Sequence, residues 1–168
     1  MSVVVCKVNE DNIEVAADSI CVSGWSKLPI SGNRHIKLAK YNGMIVGGVG
    51  LAEEVSLFFH YMKTHTIDEV TEKGVLDFIL EFRDWKSTYT RTSTFEADYI
   101  IAYKGKAFAI SGMLITPIDK WYAIGAGRDY ASGALYTGAS ATEAVKAACD
   151  LCAMVAEPIV LKTIPRGK

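Results

Sequence analysis

Ser2 stands directly behind Met1, and a small residue in that position favours removal of the initiator methionine. It is therefore either an ordinary second residue or, once Met1 is gone, the first residue of the mature chain and a candidate nucleophile. The residues alone leave both open. Cys149-x-x-Cys152 invites a redox or zinc reading, but no second CxxC and no nearby histidine pair accompanies it. Two thiols spaced i, i+3 on the apolar side of a helix are expected to pack in a core. Cys6 lies inside a β-branched run and has no α-amine to offer, which disqualifies it as an N-terminal nucleophile. The three histidines, His35, His60 and His65, are too dispersed to define a site.

These residues need elements to hold them. VVVCKV (3–8) and IEVAA (13–17) flank Asn9-Glu10-Asp11-Asn12, whose side chains favour a turn, so an N-terminal β-hairpin is expected. Alternation places Ile13, Val15 and Ala17 on one face and Asp18 at the strand's end. A loop with Gly24, Pro29 and Gly32 leads to strands over 35–40 and 44–49, joined at the turn signal Asn42-Gly43. Leu51, Val55, Phe58, Phe59 and Met62 then recur with helical period. Thr66-x-x-Glu69 predicts a capping box for the next helix, whose buried stripe is Val75, Phe78, Ile79, Phe82 and Trp85. ADYIIAY and KAFAISG form a hairpin at Lys104-Gly105, and WYAIGAG is a short strand. A helix over 129–136 precedes one capped by Ser140-x-x-Glu143, with Val145, Ala148, Cys149, Cys152 and Val155 on one side and Pro158 as its stop. IVLKTI closes as a strand. Strands, two helices, strands, two helices and a strand predict an α+β fold in four layers, two antiparallel sheets between helix pairs, in a single domain over 1–168.

Composition agrees. Apolar residues make up 50% and charged residues 22%, enough for a large core and against disorder. A net charge of −1, with scattered lysines and arginines, supplies no footprint for nucleic acid. No run approaches the roughly 18 apolar residues of a membrane span, and no signal-like segment opens the chain. No membrane association is expected, and four cysteines without a disulfide framework fit a cytoplasmic location.

The order of these pieces resembles proteasome β-subunits and their HslV-type relatives, N-terminal-nucleophile hydrolases with an αββα sandwich; among them this chain has the look of a divergent bacterial or phage-type homologue. The resemblance spans nearly the whole chain. It is carried by the hairpin ending VAADS, by IKLAKYNGMIVGGVG, by the helix containing RDWK, and by WYAIGAGRDYASGAL with the capped helix behind it. It implies that Ser2 is the nucleophile and that its own α-amine, with a pKa of about 8, is the base. Asp18, sixteen residues on, takes the place of the family's acid. Lys37 matches the lysine beside the nucleophile, with Lys40 the runner-up because the preceding loop is long. Gly48 matches the glycine whose N–H faces the oxyanion, although a close approach between strands explains a Gly-Gly pair equally well. Val46 and Gly50 would line the first specificity pocket.

The resemblance implies a self-compartmentalising peptidase, a homo-oligomeric and stacked double ring that cleaves peptides or unfolded proteins. It needs no metal or organic cofactor, and an ATP-dependent unfoldase is a possible partner. Three residues depart from the family's pattern. Serine replaces the usual threonine, Ala126 stands where active members carry a serine, and Met154 stands near the usual aspartate. They support the alternative of a proteasome-like scaffold that has lost its chemistry. A small-amide hydrolase acting outside any ring is a third reading.

Overall fold

The structure, a computed structural model, describes residues 2–24, 26–28 and 36–166. Strand β1 (Val3–Val8) and strand β2 (Asn12–Ala17) form the expected hairpin, closed by the Asn9 amide N–H on the Asn12 carbonyl at 2.8 Å. Strand β10 (Trp121–Gly125) adds to the free side of β1 and strand β11 (Val160–Pro165) to that of β2, giving an antiparallel sheet in the order β10-β1-β2-β11. The second sheet has five antiparallel strands in sequence order: β5 (Leu38–Tyr41), β6 (Met44–Gly50), β7 (Ala97–Tyr103), β8 (Lys106–Ser111) and β9 (Leu114–Pro117). Between Asp18 and β5 lies a two-stranded ribbon, β3 (Val22–Ser23) with β4 (Ser26–Lys27).

Period-2 alternation divides the hydrophobic residues among three layers of core. Val4, Cys6, Ile13, Val15 and Ala17 face the other sheet, where Ile45, Ile100 and Ala109 meet them. Val3, Val5 and Ala16 point the other way, onto helices α3 (Arg128–Tyr136) and α4 (Ala141–Leu151). The outer face of the five-stranded sheet packs on α1 (Ala52–Tyr61) and α2 (Glu72–Thr90), where Phe58, Phe82 and Tyr99 lie with ring centroids 4.6 and 4.4 Å from Phe58. Burying one such ring contributes roughly 1.5–3 kcal/mol. The result is the expected four-layer αββα sandwich. The sheets approach so closely at Gly47 that a Cβ there would overlap the Val4 side chain.

Several local expectations need correcting. Helix α2 begins at Glu72 and is capped by Thr71, whose hydroxyl accepts from the Gly74 N–H at 3.1 Å; Thr66-x-x-Glu69 does not cap it. Ile67 is buried in the α1/α2 core and draws that segment inward before the helix can start. Helix α4 has its capping box at Ser140 and Glu143, but it stops at Leu151, well before Pro158, with Cys152 already extended. Strand β9 and the β3–β4 ribbon were not expected. The loop around Pro29 and Gly32 and the strand start at His35 lie outside the described residues; the strand itself is described from Leu38. Among the described residues, no helix is long and apolar enough to cross a membrane.

Candidate active site

Asp18 follows the last residue of β2 and turns back onto β1. Its N–H donates to the Val3 carbonyl at 3.3 Å, and the Val3 N–H donates to Asp18 Oδ1 at 2.9 Å. Oδ2 accepts from the Ile20 N–H at 3.1 Å and from the Ala156 N–H at 3.3 Å. The carboxylate, only 1% exposed, thus ties three chain segments together just behind Ser2. Lys37 completes it, with Nζ 2.8 Å from each carboxylate oxygen. Charge-assisted bonds of this length are the strong kind.

The two candidate lysines have different partners. Lys37 precedes β5 and reaches inward to Asp18, whereas Lys40 points outward and donates to the Thr163 carbonyl at 3.4 Å. Burial pulls the Lys37 ammonium below the ordinary lysine value of 10.5, while the charge and hydrogen bonds of Asp18 oppose the shift. Because the folded pKa is the lower one, the unfolded chain binds more protons between that value and 10.5, and stability contributed by this group rises with pH there. In urea titrations the wild-type midpoint should therefore climb relative to Lys37→Met as pH approaches 10.5. A constant gap between the two proteins would contradict it.

Ser2 is 4% exposed and leads into β1. Its carbonyl accepts from the Gly127 N–H at 3.2 Å, so the turn after β10 clamps it from the side opposite Asp18. Gly125, at φ +95°, makes that turn possible; a Cβ there would collide with the Ser2 carbonyl. Ser2, Lys37, Gly48 and Gly50 all line one cavity of about 500 Å³ between the chain after Asp18, the start of β5 and helix α1. Gly48 donates its N–H to the Lys37 carbonyl at 2.9 Å, so an oxyanion would have to share that donor. A Cβ on Gly48 would press on Val55 and Tyr99, which supports the close-packing reading of this residue. Val46 is not in the cavity wall. It is fully buried beneath α1 and α2, because alternation in β6 turns it into that core.

The departures also take shape. Ala126 sits between Gly125 and the Gly127 that holds Ser2, and its carbonyl has the Cys152 thiol at 3.8 Å. Met154 is 40% exposed on the loop that sends the Ala156 N–H to Asp18. Neither side chain carries a hydrogen-bonding group equivalent to the serine or aspartate expected there. Cys149 and Cys152 pack against the α3/α4 core, and burial pushes the Cys149 thiol up to about 11, so it is protonated at neutral pH. Burial likewise raises Cys6 to about 12.

Sequence reasoning missed the α1 side of the cavity, formed by Ser56, Phe59, His60 and Lys63, together with Tyr41 and Cys21. The available signal was the polar flank of α1, left over once its core stripe had been counted. The Asn42-Gly43 turn fixes this wall, since the Asn42 side-chain amide donates to the carbonyls of Met62 at 2.9 Å and Lys63 at 3.2 Å.

Two antiparallel sheets between helix pairs make up the fold of the proteasome and HslV type. Among solved structures, BPH of Thiobacillus denitrificans superposes with a TM-score of 0.88 at 19% identity, covering 98% of both chains. The same protein in complex with epoxomicin gives 0.85 at 18% identity, over 99% of this chain and 100% of that one. Eukaryotic HslV from Trypanosoma brucei gives 0.73 at 17% identity, over 97% and 99%. At these identities the likeness establishes the fold. No protein-family model and no curated protein sequence matches the chain.

Proposed function

We propose that this chain is a peptidase with an N-terminal serine nucleophile, formed as one domain and working inside a homo-oligomeric double ring. The observation that carries the proposal is the shared cavity: Ser2 and Lys37 line it together, and Lys37 is held there by the buried Asp18. Removal of Met1 gives Ser2 a free α-amine. The Ser2 hydroxyl attacks the peptide carbonyl carbon as its proton passes to that amine. The resulting ammonium returns the proton to the leaving nitrogen as the C–N bond breaks, leaving an ester on Ser2. Water, activated by the same amine, hydrolyses the ester and frees the serine. The positive charge on Lys37 favours the unprotonated amine and the developing alkoxide. Gly48 meets the oxyanion with the N–H it shares with the Lys37 carbonyl. Peptides or unfolded proteins are the substrates, no metal or organic cofactor takes part, and a cytoplasmic ATP-dependent unfoldase is the partner such a ring would use.

A shell without chemistry is the second reading, favoured by Ala126 and Met154, which leave Ser2 without the polar support expected from those positions. Intact mass before and after exposure to a peptide electrophile selective for N-terminal hydroxyl nucleophiles separates the two. Loss of one methionine and a single adduct on Ser2 are expected. A retained Met1 with no adduct would leave the shell. A reactive Ser2 on a monomer would instead favour a small-amide hydrolase.

A further inference from the structure

Among the described residues, the wall of the cavity contains two lysines and no carboxylate. Lys37, His60 and Lys63 line it, and neither Asp nor Glu does. Asp18 neutralises Lys37 from behind. Lys63 is different. Its Nζ lies 3.4 Å from His60 Nδ1 and 5.9 Å from the centre of the Tyr41 ring, and no ion pair holds it among the described residues. Its backbone is fixed, because its carbonyl accepts from Asn42 across the cavity's edge. Deeper in, Val49, Val55 and Phe59 supply apolar surface. The neighbouring acids face elsewhere: Glu54 is buried on the opposite side of α1, paired with Lys86, and Glu53 is outside the lining.

We infer that Lys63 selects a substrate side chain with an apolar stem and an anionic end, glutamate above all, for the cavity next to Ser2. This rests on the peptidase reading for its meaning in catalysis, but the recognition itself is a binding property. The stem lies along Val55 and Phe59 while the carboxylate reaches the Lys63 ammonium at the mouth. A lysine or arginine side chain meets the Lys63 ammonium and, among the described lining residues, no carboxylate.

The test measures binding of acetyl-Leu-Leu-Glu-amide, its Gln isostere and its Lys counterpart to the Ser2→Ala protein, which cannot turn them over. Amidation leaves the side chain as the sole carboxylate. The Glu peptide should bind about fivefold tighter than the Gln peptide, the upper range for an ion pair partly open to water, and the gap should narrow with added salt. Lys63→Ala in the same background should erase the difference, and Lys63→Glu should favour the Lys peptide. Equal binding of Glu and Gln, a gap that survives Lys63→Ala, or no binding of any peptide would overturn the inference. Turnover by the wild-type protein is scored separately: a charge preference without cleavage would defeat the peptidase reading and leave this one standing.

Discussion

Ser2→Ala is expected to lower peptide hydrolysis by about 10³-fold or more, to the level of any adventitious background, while thermal stability and assembly stay at wild-type values. On the proposed mechanism the hydroxyl is the attacking group, so nothing substitutes for it and the loss is large. Stability is preserved because the substitution removes one oxygen and leaves the backbone bonds of residues 2 and 3 to Gly127 and Asp18 in place. Lys37→Ala should cost comparable activity through a different route. It removes the ammonium from the cavity and leaves the Asp18 carboxylate with only its three N–H donors. Lys37→Arg is the informative control, since it keeps a positive charge but cannot place a compact ammonium on both oxygens of Asp18. Hydrolysis of a fluorogenic peptide, with calorimetry on the same preparations, checks all three. Full turnover by Ser2→Ala would remove that residue from the chemistry.

The other large effect concerns stability. Lys86, on α2, and Glu54, on α1, form an ion pair of 2.6 Å whose side chains are almost wholly excluded from water. Glu54 also accepts from the Tyr99 hydroxyl at 3.2 Å and the Glu96 N–H at 3.1 Å, and Lys86 donates to the Thr94 carbonyl. Burial, followed by the charge of Glu54, holds the Tyr99 hydroxyl far above its ordinary range, so it stays a donor. Removing one member of such a pair strands the other, and Glu54→Leu or Lys86→Met should each cost about 3–5 kcal/mol in denaturant unfolding. The double replacement should cost less than the sum of the two single losses, because apolar groups of similar volume need no counter-charge, although the Tyr99 hydroxyl, the Glu96 N–H and the Thr94 carbonyl lose their partners. Additive losses in the double variant would show that the two residues do not act as a pair. The network also steadies the turn from β6 into α1, where the Leu51 N–H meets the Glu96 carbonyl at 3.0 Å, and so the cavity wall beginning at Gly50.

What was legible in the sequence was whatever rests on period. Alternation in VVVCKV and IEVAA, and helical spacing in the segments after Gly50 and Ser140, were enough for the sheet hairpins, the helix pairs and their stacking. The juxtaposition of Asp18 and Lys37 came from the family resemblance, and the side-chain distances bear it out. Val46 was misplaced because a strand buried on both faces carries no alternation to say which way a valine points; β6 is buried from Met44 through Val49. The cap lies at Thr71 and not at the expected Thr66, because Ile67 packs into the α1/α2 core, a tertiary fact. Glu54 and Lys86 lie on two different helices. Nothing local reveals that thirty-two residues apart they meet in the dark of the core.

One detail of the amino-terminal clamp bears on how the proposed nucleophile would be exposed. Two anchors of this region, Gly127 to the Ser2 carbonyl and Val3 to Asp18, grip the chain on the carboxyl side of the Ser2 α-carbon. They are indifferent to what is attached on the other side. A precursor still carrying an upstream residue keeps these two bonds available, so on the proposed mechanism folding would precede competence. Latency would then be covalent and not conformational, lifted by a single cut with no rearrangement to follow.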